Sequence, residues 1–243
     1  MLAPHDVALA PLPASAWPAR RFLHWCALAW GMFRKAPLRL MGLCLLPMLV
    51  ELVLQVSIPV AGIVLSKLLV PMVSVWLLLA IDQRVRGGRF AMGRAAARTL
   101  RLRGTLVQVA LLSASVFGFQ MLVAGALAGP AAALGMVVLD PAALAQVTRA
   151  QLACVLASGL LPAMLLFFTI PRMVLDRLAL GEALRENSAM LGHGWRPLLV
   201  YLLVSLALVA GFVYQPLLLV VVMPLGYVGY WAYRDSFRNE NGA

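Results

Sequence analysis

Residues 61–103 read AGIVLSKLLVPMVSVWLLLAIDQRVRGGRFAMGRAAARTLRLR, an apolar run over 61–82 followed by a segment, 84–103, with seven arginines. About 20 predominantly apolar residues suffice to cross the hydrocarbon of a bilayer as an α-helix. The run has no period-2 alternation, so it reads as a spanning helix and not as a barrel strand. The basic segment sets its direction, because Lys and Arg collect on the cytoplasmic side of a membrane.

The rest of the chain repeats this grammar. Its 243 residues are 63% hydrophobic and 12% charged, with a mean hydropathy of +0.92. A net charge of +11 would suggest nucleic acid on a soluble protein. Here eighteen of the twenty Lys and Arg lie in four clusters, 20–39, 84–103, 172–196 and 234–238, leaving only Lys67 and Arg149 elsewhere. Cations clustered between apolar runs follow membrane topology, so no nucleic acid is implied and anionic lipid is a compatible partner. The expected fold is an all-α polytopic membrane bundle of about six spans: 38–58, 61–82, 105–128, 150–170, 197–214 and 216–233. Both termini are then cytoplasmic. Residues 1–16, rich in Ala and Pro, read as a disordered tail, and 235–243 as a second one. Asp140-Pro141 reads as an N-cap with Pro at the first helical position of the fourth span. Tyr227, Tyr230, Trp231 and Tyr233 are placed for an aromatic belt.

Two stretches echo each other. Arg89-Phe-Ala-Met-Gly-Arg-Ala95 and Arg177-Leu-Ala-Leu-Gly-Glu-Ala183 are 88 residues apart, and Gly104 and Gly192 continue the match. Both follow an apolar run and precede another, which predicts two parallel pseudo-repeats, each a span in, a cytoplasmic elbow helix and a span out. Arg94, Arg98 and Arg101 share one face of the first elbow. Glu182 and Glu186 hold the positions equivalent to Arg94 and Arg98, so the elbows form a candidate cytoplasmic interaction surface. Were they to meet antiparallel, Arg94–Glu186 and Arg98–Glu182 would pair; the other reading is two separate solvated faces.

Residues 17–37 predict an amphipathic helix. Phe22, Trp25, Cys26, Ala29, Met32 and Phe33 fall on one face, and a basic helix of this kind lies in the membrane interface. Arg20, Arg21, Arg34 and Lys35 are its candidate headgroup contacts. Glu51 and Lys67 are intramembrane ionisable residues, both eight positions from Pro59. A hairpin turning there sets them opposite each other as a candidate ion pair, with a structural or a transport role. Gly192-His-Gly194-Trp195 reads as a helix stop. Cys26, Cys44 and Cys154 are isolated, so neither a disulfide framework nor a metal site is expected. No cofactor motif and no assembly of nucleophile, base and orienting group is recognisable.

The segment Ile170-Pro-Arg-Met-Val-Leu-Asp-Arg-Leu-Ala-Leu-Gly-Glu-Ala-Leu-Arg-Glu-Asn-Ser188, followed by Gly194-Trp-Arg-Pro-Leu-Leu199, is similar to a pattern in a broad group of uncharacterised bacterial multi-spanning proteins. That group includes the membrane domain associated with glycerophosphodiester phosphodiesterases. Phe33-Arg-Lys-Ala-Pro37 resembles a proteobacterial branch of it. The resemblance implies a helical protein of the bacterial inner membrane with two related halves and carries over no catalytic residue. The leading expectation is a non-enzymatic accessory or scaffold subunit that binds membrane-protein partners, or itself, or anionic lipid, through its cytoplasmic face. The alternative is a small-solute or lipid transporter. A polar cavity reaching the midplane between the halves would favour transport, and a flat apolar face the scaffold.

Overall fold

The computed structural model describes residues 17–58 and 61–237, those of 219–222 by backbone alone. The described residues are helical throughout, in the order α1 (Arg21–Lys35), α2 (Pro37–Ser57), α3 (Gly62–Gly87), α4 (Met92–Leu100), α5 (Arg103–Ala128), α6 (Pro130–Val138), α7 (Pro141–Ala145), α8 (Arg149–Ser158), α9 (Leu160–Leu165), α10 (Thr169–Leu175), α11 (Leu180–Phe212), α12 (Leu218–Leu225) and α13 (Val228–Phe237). Helices are what long Leu-, Val- and Ala-rich runs must form in hydrocarbon, since each backbone N–H and C=O then finds its partner within the segment.

Four of them, α2, α3, α5 and α11, are long and apolar enough to cross a membrane. The pair α8–α9 plus α10, bent by 55°, makes a fifth if counted as one span. The sixth expected span, 216–233, is instead divided into α12 and α13, of 8 and 10 residues, around a turn at Gly226-Tyr227. Neither piece reaches the length of a spanning helix.

The connections differ from expectation in instructive ways. Asp140 caps α7, its carboxylate accepting from Ala142 N at 3.0 Å with Pro141 at the first helical position. That helix lasts five residues, and the chain restarts at α8 through a capping box in which Thr148 and Gln151 hold each other's backbone N–H groups. The expected stop at Gly194 is a kink: α11 runs through it with φ −105° and ψ 21°. Pro197 lacks the N–H that His193 C=O would accept. A Cβ at Gly194 would also sit 2.7 Å from the Trp17 ring, so the bend is where the N-terminal segment packs.

The extended buried core lies at the end of the bundle where the basic segments gather. It joins Trp17, Phe22 and Trp25 to Leu40 and Leu43 of α2, to Val75–Ile81 of α3, to Val174 and Leu175 of α10, and to the tyrosines of α13. A smaller cluster of Ala124, Ala133, Met136 and Val155 serves the opposite end. α3 is the central helix: 33% of its apolar window is buried, against 11% for α2 and for α11.

Three expectations are corrected here. The apolar face of α1 turns inward, with Phe22, Trp25 and Ala29 buried against α11, α12 and α13. An amphipathic pattern requires an apolar partner and does not distinguish protein from lipid. Residues 235–237, expected as part of a tail, belong to α13, where Asp235 and Ser236 are buried. Tyr227, Tyr230 and Tyr233, expected as an interfacial belt, are at most 4% exposed. The expected disordered stretch 1–16, the turn at Pro59 and residues 238–243 lie outside the described residues.

Candidate functional site

A partly open cavity of about 530 Å³ lies between the two halves of the chain. α2 contributes Leu43, Cys44 and Pro47, α3 the face from Val70 to Ile81, and α5 Val109, Leu112, Ser113 and Val116. Ala163 of α9, Ile170 and Pro171 of α10, and Phe167 between those helices form the opposite wall, with Gly229 and Tyr230 of α13. The volume falls within the ~300–1,000 Å³ of small-molecule sites. Its wall is apolar, and most of the polar side chains on it already have partners in the protein. Ser74 Oγ donates to Val70 O at 3.1 Å, and Cys44 Sγ to Met223 O at 3.4 Å. Tyr227 Oη donates to Leu40 O at 2.5 Å, and Tyr230 Oη to Asp82 at 3.1 Å.

The two tyrosines thus line the cavity with their hydroxyls already spent on protein acceptors. Asp82 itself is 1% exposed and holds Arg86 one turn on, Nε to Oδ2 at 3.0 Å. α13 continues the pattern on its next turn. Tyr233 Oη donates to Asp176 at 2.6 Å, and Asp176 also accepts from Arg172 at 2.7 Å. Arg172 reaches across to Glu186 of α11 and lies over the Phe237 ring. Asp235 accepts from Trp25 Nε1 at 2.7 Å and Arg21 Nε at 2.5 Å. One short helix therefore binds α1, α3 and the C-terminal end of α10, and Tyr227 in the turn before it adds α2. Buried carboxylates persist only when paired and hydrogen-bonded, which these are.

Asn187 of α11 performs a second structural service. It is 1% exposed; its Nδ2 donates to Leu165 O at 2.6 Å and its Oδ1 accepts from Phe168 N at 2.8 Å. Those are backbone groups at the break between α9 and α10, where helical partners are lost. One side chain thereby satisfies a donor and an acceptor that would otherwise be stranded in an apolar surrounding.

The residues singled out from sequence are distributed as follows. Lys67 Nζ donates to Glu51 Oε1, which also accepts from Gln55 Nε2 at 3.0 Å, and the ammonium lies 5.6 Å from the Phe117 ring centroid. The α2–α3 approach is tight: a Cβ on Gly62 would come within 2.2 Å of Leu54 O. This pair stands one helical turn beyond Pro47 and Val70, at the far end of the cavity from Tyr230. Arg94 and Arg101 are exposed, whereas Arg98 is half-buried with its Nε lacking an acceptor among the described residues. The envisaged Arg94–Glu186 and Arg98–Glu182 pairs do not form there: Glu186 is taken by Arg172, and Glu182 is exposed. Arg172 is only fourteen residues from Glu186 across a short turn, so little chain entropy opposes that closure. Arg20, Arg34 and Lys35 are exposed. Arg21 is not available to lipid headgroups, because its side chain is 10% exposed and held by Asp235 and the Trp17 ring. Burial also raises the Cys26 thiol pKa.

Sequence reading missed Asp82, Asp176, Asp235 and Asn187. A usable signal existed: the chain has only nine acidic residues, and three of these sit where apolar runs end. Among the described residues, no group of three or more His, Cys, Asp or Glu is placed to hold a metal. Compared with family models, curated proteins and solved structures, the chain gives no match, so the resemblance carried by 170–199 rests on those residues alone.

Proposed function

We propose that this chain is a non-enzymatic, multi-pass protein of the bacterial inner membrane, an accessory subunit whose cytoplasmic face binds anionic lipid. One observation carries the reading: among the described residues, all but one of the acids at the basic end are engaged within the fold while most of the cations remain outside. Asp82, Asp176, Glu186 and Asp235 are all engaged by Arg, Tyr or Trp side chains. Arg34, Lys35, Arg39, Arg89, Arg94, Arg101, Arg103, Arg185 and Arg196 are exposed, and among the described residues of that end Glu182 is the exposed acid. Such a surface attracts phosphate headgroups with about 1 kcal/mol for each cation close to them.

The same reading takes the six-segment topology, the parallel pseudo-repeats and the cytoplasmic termini as one design. Lipid handling also retains the transport alternative in its lipid form. Transport of a polar solute draws no support from the cavity, whose wall offers few free hydrogen-bonding groups.

The test is native mass spectrometry of protein extracted in mild detergent from membranes containing phosphatidylglycerol and phosphatidylethanolamine. Retention of phosphatidylglycerol is expected, and the triple change Arg94→Gln, Arg101→Gln, Arg103→Gln should weaken it about 100-fold if each cation contributes about 1 kcal/mol. Equal retention of both lipids by the unmodified protein would overturn the proposal. A stoichiometric protein partner captured through the same three arginines would replace lipid by a membrane-protein partner.

A further inference from the structure

We propose that the cavity between the halves seats one acyl chain of a membrane phospholipid. This rests on reading the chain as a lipid-binding membrane protein and adds where the hydrocarbon goes.

Length supports that occupant. The cavity follows α3 from Val70 to Ile81, eleven residues, or about 16 Å at 1.5 Å per residue. One leaflet supplies about half of a ~30 Å hydrocarbon core, so the cavity is as deep as a single tail layer. It also occupies the half of the bundle adjoining the basic end.

Chemistry narrows the occupant to hydrocarbon. Cys44, Ser74, Tyr227 and Tyr230 all spend a hydrogen on acceptors within the protein, leaving Ser113 as the one hydroxyl on the wall among the described residues without a protein acceptor. The wall prolines Pro47, Pro71 and Pro171 have no N–H to offer. A ligand with unmet donors or acceptors would lose its hydration without replacement, whereas a lipid tail loses nothing. Beside the cavity, toward the basic end, stands the charged Tyr230–Asp82–Arg86 group. A headgroup therefore stays outside the chamber while its tail fills it, and the surrounding bilayer supplies that tail at very high local concentration.

The experiment places the full chain in nanodiscs containing a phospholipid with a diazirine on one acyl chain, followed by irradiation and peptide mapping. Adducts are expected on the α3 segment 74–81 and on 163–171, in excess of those on Leu122, an outward residue 74% exposed. Ser113→Phe and, separately, Ala163→Phe fill the space and should cut the cavity adducts about tenfold while leaving those at Leu122. Thermal unfolding of the same samples verifies that each variant is folded. Cavity labelling of the unmodified protein no greater than at Leu122, or labelling indifferent to both substitutions, would overturn the inference. So would cross-links showing the cavity filled by a second copy of the chain. The triple arginine variant separates the two readings: it should lose headgroup preference and keep its cavity adducts.

Discussion

The stretch α3–α4–α5 and the stretch α8–α9–α10–α11 each carry one of the two echoing motifs, and they break at different places. In the first, the incoming span α3 is continuous for 26 residues, and the elbow α4 is separated from the outgoing α5 by a turn at Arg101-Leu102. In the second, the incoming path is cut into three helices, and the elbow is fused with the outgoing span into the 33-residue α11. The first half dispenses with repair at its break, which lies at the solvated basic end. The second half breaks within the apolar layer, and there a buried Asn187 takes both exposed backbone groups. Where a helix breaks thus decides whether a polar side chain has to follow it into the core.

The largest effect expected from this difference is at Asn187. Asn187→Leu keeps the branched heavy-atom shape but strands Leu165 O and Phe168 N, at a cost on the order of 1–3 kcal/mol for each group. Thermal unfolding in detergent should register the loss. An unchanged midpoint would mean that the break is satisfied otherwise, and the contrast between halves would fail.

Next come the turns that introduce the elbows. The first uses Gly88 at φ +70°, where an added Cβ would meet only the Arg84 guanidinium at 3.9 Å; the second uses Arg177 at φ +61°. Left-handed backbone costs a non-glycine residue about 1–2 kcal/mol. Gly88→Ala should therefore destabilise by roughly that amount, and Arg177→Gly should stabilise by less, since glycine loses about 0.5–1 kcal/mol in extra chain entropy. Unfolding midpoints shifted in the same direction would show that the turns are not comparable.

A smaller asymmetry concerns the clasp of α13 on each half. Tyr230 donates to Asp82, whose side chain is 1% exposed, and Tyr233 to Asp176, whose side chain is 20% exposed. Removing a hydroxyl bonded to a carboxylate costs about 1.5–3 kcal/mol, and Tyr230→Phe should cost slightly more than Tyr233→Phe, because water can reach Asp176 and not Asp82. The reverse order, measured on the same unfolding assay, would break the comparison.

The smallest expected effect reports the cover that α1 lays over α11 and α13. Burial raises the Cys26 thiol pKa, and only the thiolate is nucleophilic. At pH 8 its alkylation should be slower than that of an ordinary thiol, with the rate still rising at pH values where an ordinary thiol has levelled off. Asp235→Ala, which releases Arg21 and Trp25 from the clasp, should accelerate it.

Legibility from sequence followed the range of each interaction. The helices α2, α3 and α5 were readable to within a few residues, because a spanning run is a local statement about hydropathy. Asp140 as a cap was readable for the same reason, although what followed it was not. Glu51 and Lys67 could be set opposite each other because the hairpin between them is short. The α13 clasp was not readable: Tyr230 and Asp82 are 148 residues apart, and Trp25 and Asp235 are 210 apart. Aromatic residues before an arginine look alike whether they face headgroups or a buried carboxylate.

Composition and periodicity by themselves determined that this is a helical, membrane-embedded chain with its cations gathered at one end, since transfer of apolar surface and separation of charge act segment by segment. Only the tertiary structure decided which polar groups go inside, that the sixth segment is divided into α12 and α13 with the clasp on the second piece, and that the space between the halves is mostly apolar. Those outcomes depend on partners brought together from distant positions, and a carboxylate or an asparagine acquires its role only from the donor that meets it.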